Sequence, residues 1–210
     1  PFESNFFKYF VLNFNRLGLK KLIATCYASS PIANTQLSLF DVIGTEENKQ
    51  NKAAYKAIVS KVYDKTGDGG IDMFDVAELF KSGENELTKL NGDGDFRSDE
   101  CLALLDEADI VVTNPPFSLF REYVSVLLEH KKHFIIIGNV NAITYKEFFP
   151  LIKENKVWIG ASIHSGDRKF YVPDDYPLNA AGCGIDDEGR RFIRVKGVRW
   201  YTNLDIKQRH

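Results

Sequence analysis

Cysteine is scarce in this chain. Its 210 residues hold three, Cys26, Cys101 and Cys183, all far apart, so no disulfide framework and no CxxC metal spacing exist. That usage points to a reducing compartment. Long apolar runs are lacking as well: none reaches the roughly 20 residues a membrane-spanning helix needs, and no signal-peptide pattern is expected. Neither charge is in excess. Lys and Arg number 27 against 29 Asp and Glu, a formal net charge of −2, so the total names no partner. Internal repeats and low-complexity tracts are absent. What remains, 44% apolar and 27% charged, is the composition of a soluble globular protein with a sizeable core.

The distribution of charge is less even than its sum. Acids dominate from Asp41 to Asp109. From Arg190 to Arg209 the balance reverses, with Arg190, Arg191, Arg194, Lys196, Arg199, Lys207 and Arg209 facing the single acid Asp205. Such a basic stretch reads either as a phosphate-binding face or as a solvated surface. His130 and His133, beside Lys131 and Lys132, read as surface residues at a helix end and not as metal ligands. The chain opens on Pro1 and closes at His210, and is expected to be cut at both ends.

Periodicity outlines the elements. "ESNFFKYFVLNFNRL" predicts a helix with Ser4 as N-cap, Phe6, Phe7, Phe10, Val11 and Phe14 on one face, and Gly18 as its stop. "KKLIATCY" reads as a short buried strand, residues 29–52 as a surface loop and "AYKAIVSKVYD" as a strand. A helix in "SDECLALLDEAD" precedes the strand "IVVT". "SLFREYVSVLLEHKK" predicts an amphipathic helix with Leu119, Tyr123, Val126 and Leu127 inward. "HFIIIGN" reads as a buried parallel strand, and "TYKEFFPLIKEN" as a helix interrupted by Pro150. "KVWIGAS", "KFYVP", "RRFIRV" and "VRWYTN" are strands, with Trp200 and Tyr201 read as core. Strands alternate with helices over two-thirds of the chain, and the rest is strand-rich. The expected fold is α/β and doubly wound, with a mostly parallel sheet and an antiparallel, strand-rich C-terminal part.

In such a sheet, ligands bind beyond the carboxyl ends of the strands. The chain places Asn114-Pro115-Pro116-Phe117 there, directly after "IVVT". The amine of an aromatic ring is a poor nucleophile because its lone pair is delocalised. Two acceptors that take both N–H hydrogens localise that pair, and the Asn114 side-chain oxygen and the Pro115 carbonyl are two acceptors. Proline brings a carbonyl and no competing N–H, and a pair of prolines stiffens the turn. Phe117 offers a flat face for a base, worth about 1–3 kcal/mol when a base stacks on it. The alternative is a plain strand-to-helix turn with proline at the helix start.

"NPPF" after an apolar strand resembles the catalytic motif of S-adenosylmethionine-dependent amino-group methyltransferases. "ADIVVTNPPFSLFREYV", "IIIGNVNAITYKEFFPLIKENKVWIG", "GDGDFRSDE" and "VRWYTNLD" together resemble the EcoRI-type adenine-specific DNA modification methylases, over almost the whole chain. The resemblance implies a Rossmann-like class I methyltransferase fold and a cytoplasmic enzyme of a restriction-modification system. Its partner would be double-stranded DNA, with no membrane and no obligate protein partner. Asn114 and Pro115 would accept from the adenine N6 amine, in line with the donor's methyl, and Phe117 would stack on a flipped-out base. Asp95 would accept from the cofactor's adenine amino group, and Phe96 would pack on its ring. Ser4 and Asn5 at the first helix terminus would face its methionine end, and Cys26 and Tyr27 stand at the strand end that meets its ribose. Arg190, Arg191, Arg194, Lys196 and Arg199 would contact phosphates, while Gly138, Asn139 and Asn141 would line the base pocket or form a turn. The chain is then one methyltransferase domain, with 41–92 an acidic insertion-like segment and 139–210 the DNA-facing part. Two family features are missing: the Gly-rich loop after the first strand, and the acid at the end of "KKLIATCY".

"DKTGDGGIDMFD" places Asp64, Thr66, Asp68, Gly69, Asp72 and Asp75 at calcium-loop positions, with Asp75 where Glu is usual. The expectation is either a structural calcium ion or an Asp- and Gly-rich turn capping the next helix. Three functions follow: a DNA adenine N6-methyltransferase, an N-methyltransferase of RNA or protein glutamine, and a non-catalytic calcium- or DNA-binding module.

Overall fold

The computed structural model describes residues 4–27, 54–162, 168–172, 174, 176–179 and 182–207. The loop expected over 29–52 lies outside them. The chain forms two compact units, Pro1–Glu107 and Ala108–His210. No helix among the described residues is long and apolar enough to cross a membrane.

In the first unit, Ser4 caps α1 (Asn5–Leu12), its Oγ accepting from the Phe6 N–H. Phe7, Val11 and Phe14 are buried at i, i+4, i+7 spacing, and Gly18 takes a left-handed turn beyond. Strands β1 (Leu22–Cys26), β2 (Tyr55–Val59) and β3 (Glu86–Lys89) make an antiparallel sheet in that order. β1 is half-buried rather than buried. Between β2 and β3 runs α2 (Met73–Lys81). Its Val76, Ala77 and Phe80 join Phe7, Val11 and Phe14 of the α1 segment and Ala57 and Val59 of the sheet in one core. Asn85, also buried, ties the sheet to the chain beyond β2: its oxygen accepts from the Ser60 and Lys61 N–H groups and its nitrogen donates to the Lys61 carbonyl. α3 (Asp99–Glu107) closes the unit.

In the second unit, β4 (Ile110–Thr113) pairs parallel with β5 (His133–Asn139). α4 (Phe120–Glu129) links them, and α5 (Phe149–Lys153) follows. The sheet order is β4-β5-β10-β6, with β6 Trp158–Ile159 and β10 Val198–Thr202. β10 is antiparallel to both neighbours, so β4, β5 and β6 share one direction with a reversed strand among them. A smaller antiparallel sheet joins β7 (Arg168–Tyr171), β9 (Arg191–Val195) and β8 (Gly184–Ile185).

The architecture is α/β, with several differences from expectation. Among the described residues, β4–β5 is the single parallel pair, and antiparallel pairing occurs in the first unit as well as near the C-terminus. β5 alternates instead of being apolar-buried throughout: Phe134, Ile136 and Gly138 are buried, and the residues between them are not. The inward face of α4 is Phe120, Val124 and Leu127, one position round from the expected set, of which Leu127 alone is buried. Pro150 does not interrupt a helix; it stands in the first turn of α5, where its missing N–H costs nothing. Tyr201 is core, as read from the sequence. Its ring meets Phe120 and Phe148 with centroids 5.2 Å away in each case.

Gly138 makes that packing feasible. A methyl group at its α-carbon would fall within contact distance of the Phe120 ring. Gly138→Ala is therefore expected to destabilise by about 1–3 kcal/mol through overpacking, read as a lowered midpoint in urea. An unchanged midpoint would show that the ring yields freely.

Candidate active site

β4 ends at Thr113, level with Ile136 of β5, and β5 runs on to Asn139. Asn114-Pro115-Pro116-Phe117 thus leaves the sheet at its carboxyl edge, beside the last turn of β5. Pro115 is buried, whereas Asn114 and Pro116 are exposed. The carbonyl of Pro116 accepts from the Leu119 N–H, closing a 3-10 turn over Phe117–Leu119 that leads into α4. The Phe117 ring is 37% exposed. The motif is therefore anchored by its first proline and presents its amide and its ring outward. Just past β5, the Asn139 oxygen accepts from the Asn141 N–H, and its nitrogen lies 3.5 Å from the Lys196 carbonyl. The Asn141 carbonyl accepts from the Thr144 hydroxyl. These two asparagines shape the turn beside the motif. Tyr201 reinforces it: its hydroxyl donates to the Asn139 carbonyl at 2.8 Å, and burial pushes the phenol up to about 12.

In the first unit, the carboxyl end of β1 and the "GDGDF" loop come together. Gly94 has φ +82°, and a Cβ on it would stand 2.6 Å from the Cys26 carbonyl oxygen and 3.0 Å from the Ala54 Cβ. Only glycine permits that approach. It places Asp95 and Phe96 close to Cys26 and Tyr27. The Arg97 guanidinium grips Asp95, with Nε at 2.9 Å from Oδ1 and Nη2 at 2.6 Å from Oδ2. The Arg97 N–H also donates to Oδ1. These bonds hold the carboxyl at about 2, well below its usual range. Ser4 and Asn5 stand at the α1 terminus, with the Ser4 hydroxyl engaged as cap. Gly94 and Arg97 lie in the quoted "GDGDFRSDE" run, but the sequence assigned neither a role.

The basic residues differ in how they are engaged. Arg190 is paired with Asp186 and Glu188, each at 2.9 Å, and lies over the Tyr171 ring. Arg191 donates to the Tyr176 carbonyl, and Arg199 to that of Val198. Arg194 and Lys196 are exposed.

The Asp-rich loop turns out to be a cap. The Asp72 carboxylate accepts from the Phe74 and Asp75 N–H groups, and Asp75 accepts from the Asp72 N–H, a reciprocal box at the start of α2. Asp75 is fully buried and also takes the Lys65 and Thr66 N–H groups and the Thr66 hydroxyl. Asp64 accepts from Gly67 and Gly69, and Asp68 from Gly70. Among the described residues no three carboxylate, His or Cys groups converge on a metal position. The carboxylates described here are engaged by N–H groups of the loop itself. Millimolar calcium should leave the melting temperature unchanged; a rise of several degrees would contradict the cap. The hydrogen bonds from Asp72 first, then Thr66, hold the Asp75 carboxyl below its usual range. Its stabilising contribution is then complete at neutral pH and is lost as pH falls below about 4 through the lowered value.

The profile of the family described as "Adenine-specific methyltransferase EcoRI" matches residues 1–210. The chain belongs to this family. It is 44% identical to the Type II methyltransferase M.EcoRI of Escherichia coli, over 100% of this chain and 57% of that protein. It is 34% identical to the Type II methyltransferase M.MgeORF184P of Mycoplasma genitalium, covering 96% and 51% respectively. To the Type II methyltransferase M.MpnI of Mycoplasma pneumoniae it is 32% identical, covering 99% and 52%. The chain thus spans about half the length of these curated relatives. No solved structure matches it significantly.

Proposed function

We propose that the chain is the cofactor- and base-handling part of an S-adenosylmethionine-dependent DNA adenine N6-methyltransferase of the restriction-modification type, built on a Rossmann-like sheet. The observation that carries this reading is Asn114-Pro115-Pro116-Phe117 at the carboxyl edge of β4, with Pro115 buried and Asn114 and Phe117 turned outward. Membership of the EcoRI-type family supports it.

The cofactor, when bound, supplies an electrophilic methyl group. The Asn114 oxygen and the Pro115 carbonyl take the two N–H hydrogens of the adenine amine and localise its lone pair. Phe117 stacks on the base, which leaves the double helix to reach it. In the first unit, the end of β1 with Cys26 and Tyr27, and the loop with Asp95 and Phe96, hold the adenosine. Ser4 and Asn5 face the methionine end. Such an assignment fits a half-exposed ring beside an oriented carboxylate.

Double-stranded DNA is held by phosphate contacts from the segment 139–210. Arg194 and Lys196 carry most of this, because Arg190 is neutralised by Asp186 and Glu188. Arg194→Ala and Lys196→Ala should each reduce the slope of log affinity against log salt by about 0.9, whereas Arg190→Ala changes it less. Equal slopes in all three variants would remove this face from the DNA.

The acceptor decides between functions. Labelled S-adenosylmethionine is offered with unmethylated DNA, RNA and a glutamine peptide in parallel. Label in DNA alone supports the proposal; label in RNA or peptide assigns the same amine chemistry to another substrate.

A further inference from the structure

We infer that Arg97 sets the specificity of the cofactor pocket, by orienting Asp95 so that one acceptor position remains for an exocyclic amine. This rests on the reading that Asp95 and Phe96 hold the cofactor's adenine.

The geometry is a count of lone pairs. A carboxylate offers about four acceptor positions, two on each oxygen. Oδ1 of Asp95 accepts from the Arg97 N–H and from Nε, both at 2.9 Å. Oδ2 accepts from Nη2 at 2.6 Å. Within this cluster Oδ1 is saturated and Oδ2 keeps one position. A planar guanidinium binding through two nitrogens also fixes the plane of the carboxylate, which a lysine cannot do. The same guanidinium lies over the Phe96 ring, 5.3 Å from its centroid, and covers one face of it. Asp95 is also fixed from the main-chain side: its carbonyl accepts from the Ser98 N–H and hydroxyl, and Gly94 seats the loop against Cys26.

The consequence is chemical selectivity at the purine 6-position. A 6-amino group donates to the open position on Oδ2. A 6-oxo group brings a second acceptor to an acceptor, and a carboxyl held ionised by Arg97 cannot supply a proton to relieve the clash. Arg97 acts through Asp95, so it is a positioning residue and not a catalytic one.

The test compares binding of S-adenosylhomocysteine with that of its 6-oxo analogue, S-inosylhomocysteine, by calorimetry on the full chain. The parent protein should favour the amino compound by about 100-fold. Arg97→Ala should weaken the amino compound about tenfold and collapse most of the preference, with the melting temperature unchanged because the side chain is exposed. Arg97→Lys, which keeps the charge and loses the fork, should fall between the two. The Asp95 carboxyl, followed by NMR, should titrate closer to its ordinary value of about 3.9 in Arg97→Ala. A preference that survives Arg97→Ala but collapses in Asp95→Ala overturns the role of Arg97 and leaves the pocket where it is. A preference that survives both, or no binding by the parent protein, overturns the pocket assignment and this inference with it. Tighter binding in Arg97→Ala also overturns it, since the guanidinium would then be occupying the purine position.

Discussion

Asn114→Ala should lower the single-turnover rate of methyl transfer by about 100- to 1,000-fold, the range found when one preorganised polar contact to a reacting group is removed. The side chain is exposed and follows the last residue of β4, so the unfolding free energy should hold within the ~0.5 kcal/mol usual for surface substitutions. The loss should appear in the rate rather than in DNA affinity, because the amide acts on the amine and not on phosphates. Asn114→Asp would retain an acceptor and some activity. Asn114→Ala protein that keeps its rate would return the motif to a plain strand-to-helix turn, a role the buried Pro115 and the 3-10 turn could fill without the amide.

Gly94→Ala should be the most damaging change in the first unit. Two penalties act together. The residue sits at φ +82°, where a side chain costs about 1–2 kcal/mol. Its methyl group would also press on the Cys26 carbonyl oxygen at 2.6 Å, a backbone atom of a paired strand that cannot swing aside. Overpacking of this kind adds about 1–3 kcal/mol. Either the unit loses that stability or the loop lifts from β1, and in both cases binding of S-adenosylhomocysteine should fall at least tenfold. Gly92→Ala is the control, since nothing lies within 4 Å of a Cβ there and its φ is ordinary. Equal behaviour of the two variants would mean that the loop is not seated on the strand.

The sequence made some parts of this structure legible and hid others for identifiable reasons. α1 was readable because Ser4 and the i, i+4, i+7 series from Phe7 are local signals. The phase of α4 was not, because the 3-10 turn over Phe117–Leu119 delays the helix and hands the inward face to Phe120. Most strand positions followed from apolar runs, but β3 did not, since Glu86–Lys89 carries only Leu87 as an apolar residue, and its antiparallel pairing with β2 has no local signal. At the site, Asn114 to Phe117 could be found because amide, prolines and ring are adjacent in the chain. The grip of Arg97 on Asp95 is a matter of rotamer, and no spacing rule shows it. The pairing of Arg190 with Asp186 was not legible, because it is made across the hairpin turn at Gly189. At Asp75 the sequence left two readings open, because capping boxes and calcium loops use the same residues; the N–H groups that donate to it show the cap.

The central claim is that the edge of β4 methylates the amine of adenine in DNA. The most direct measurement transfers a labelled methyl group from S-adenosylmethionine to unmethylated DNA, digests the product to nucleosides and identifies the one that carries label. Label confined to N6-methyladenine, and missing when the protein is Asn114→Ala, is the predicted result. Label in another nucleoside, or N6-methyladenine undiminished in the variant, would contradict it.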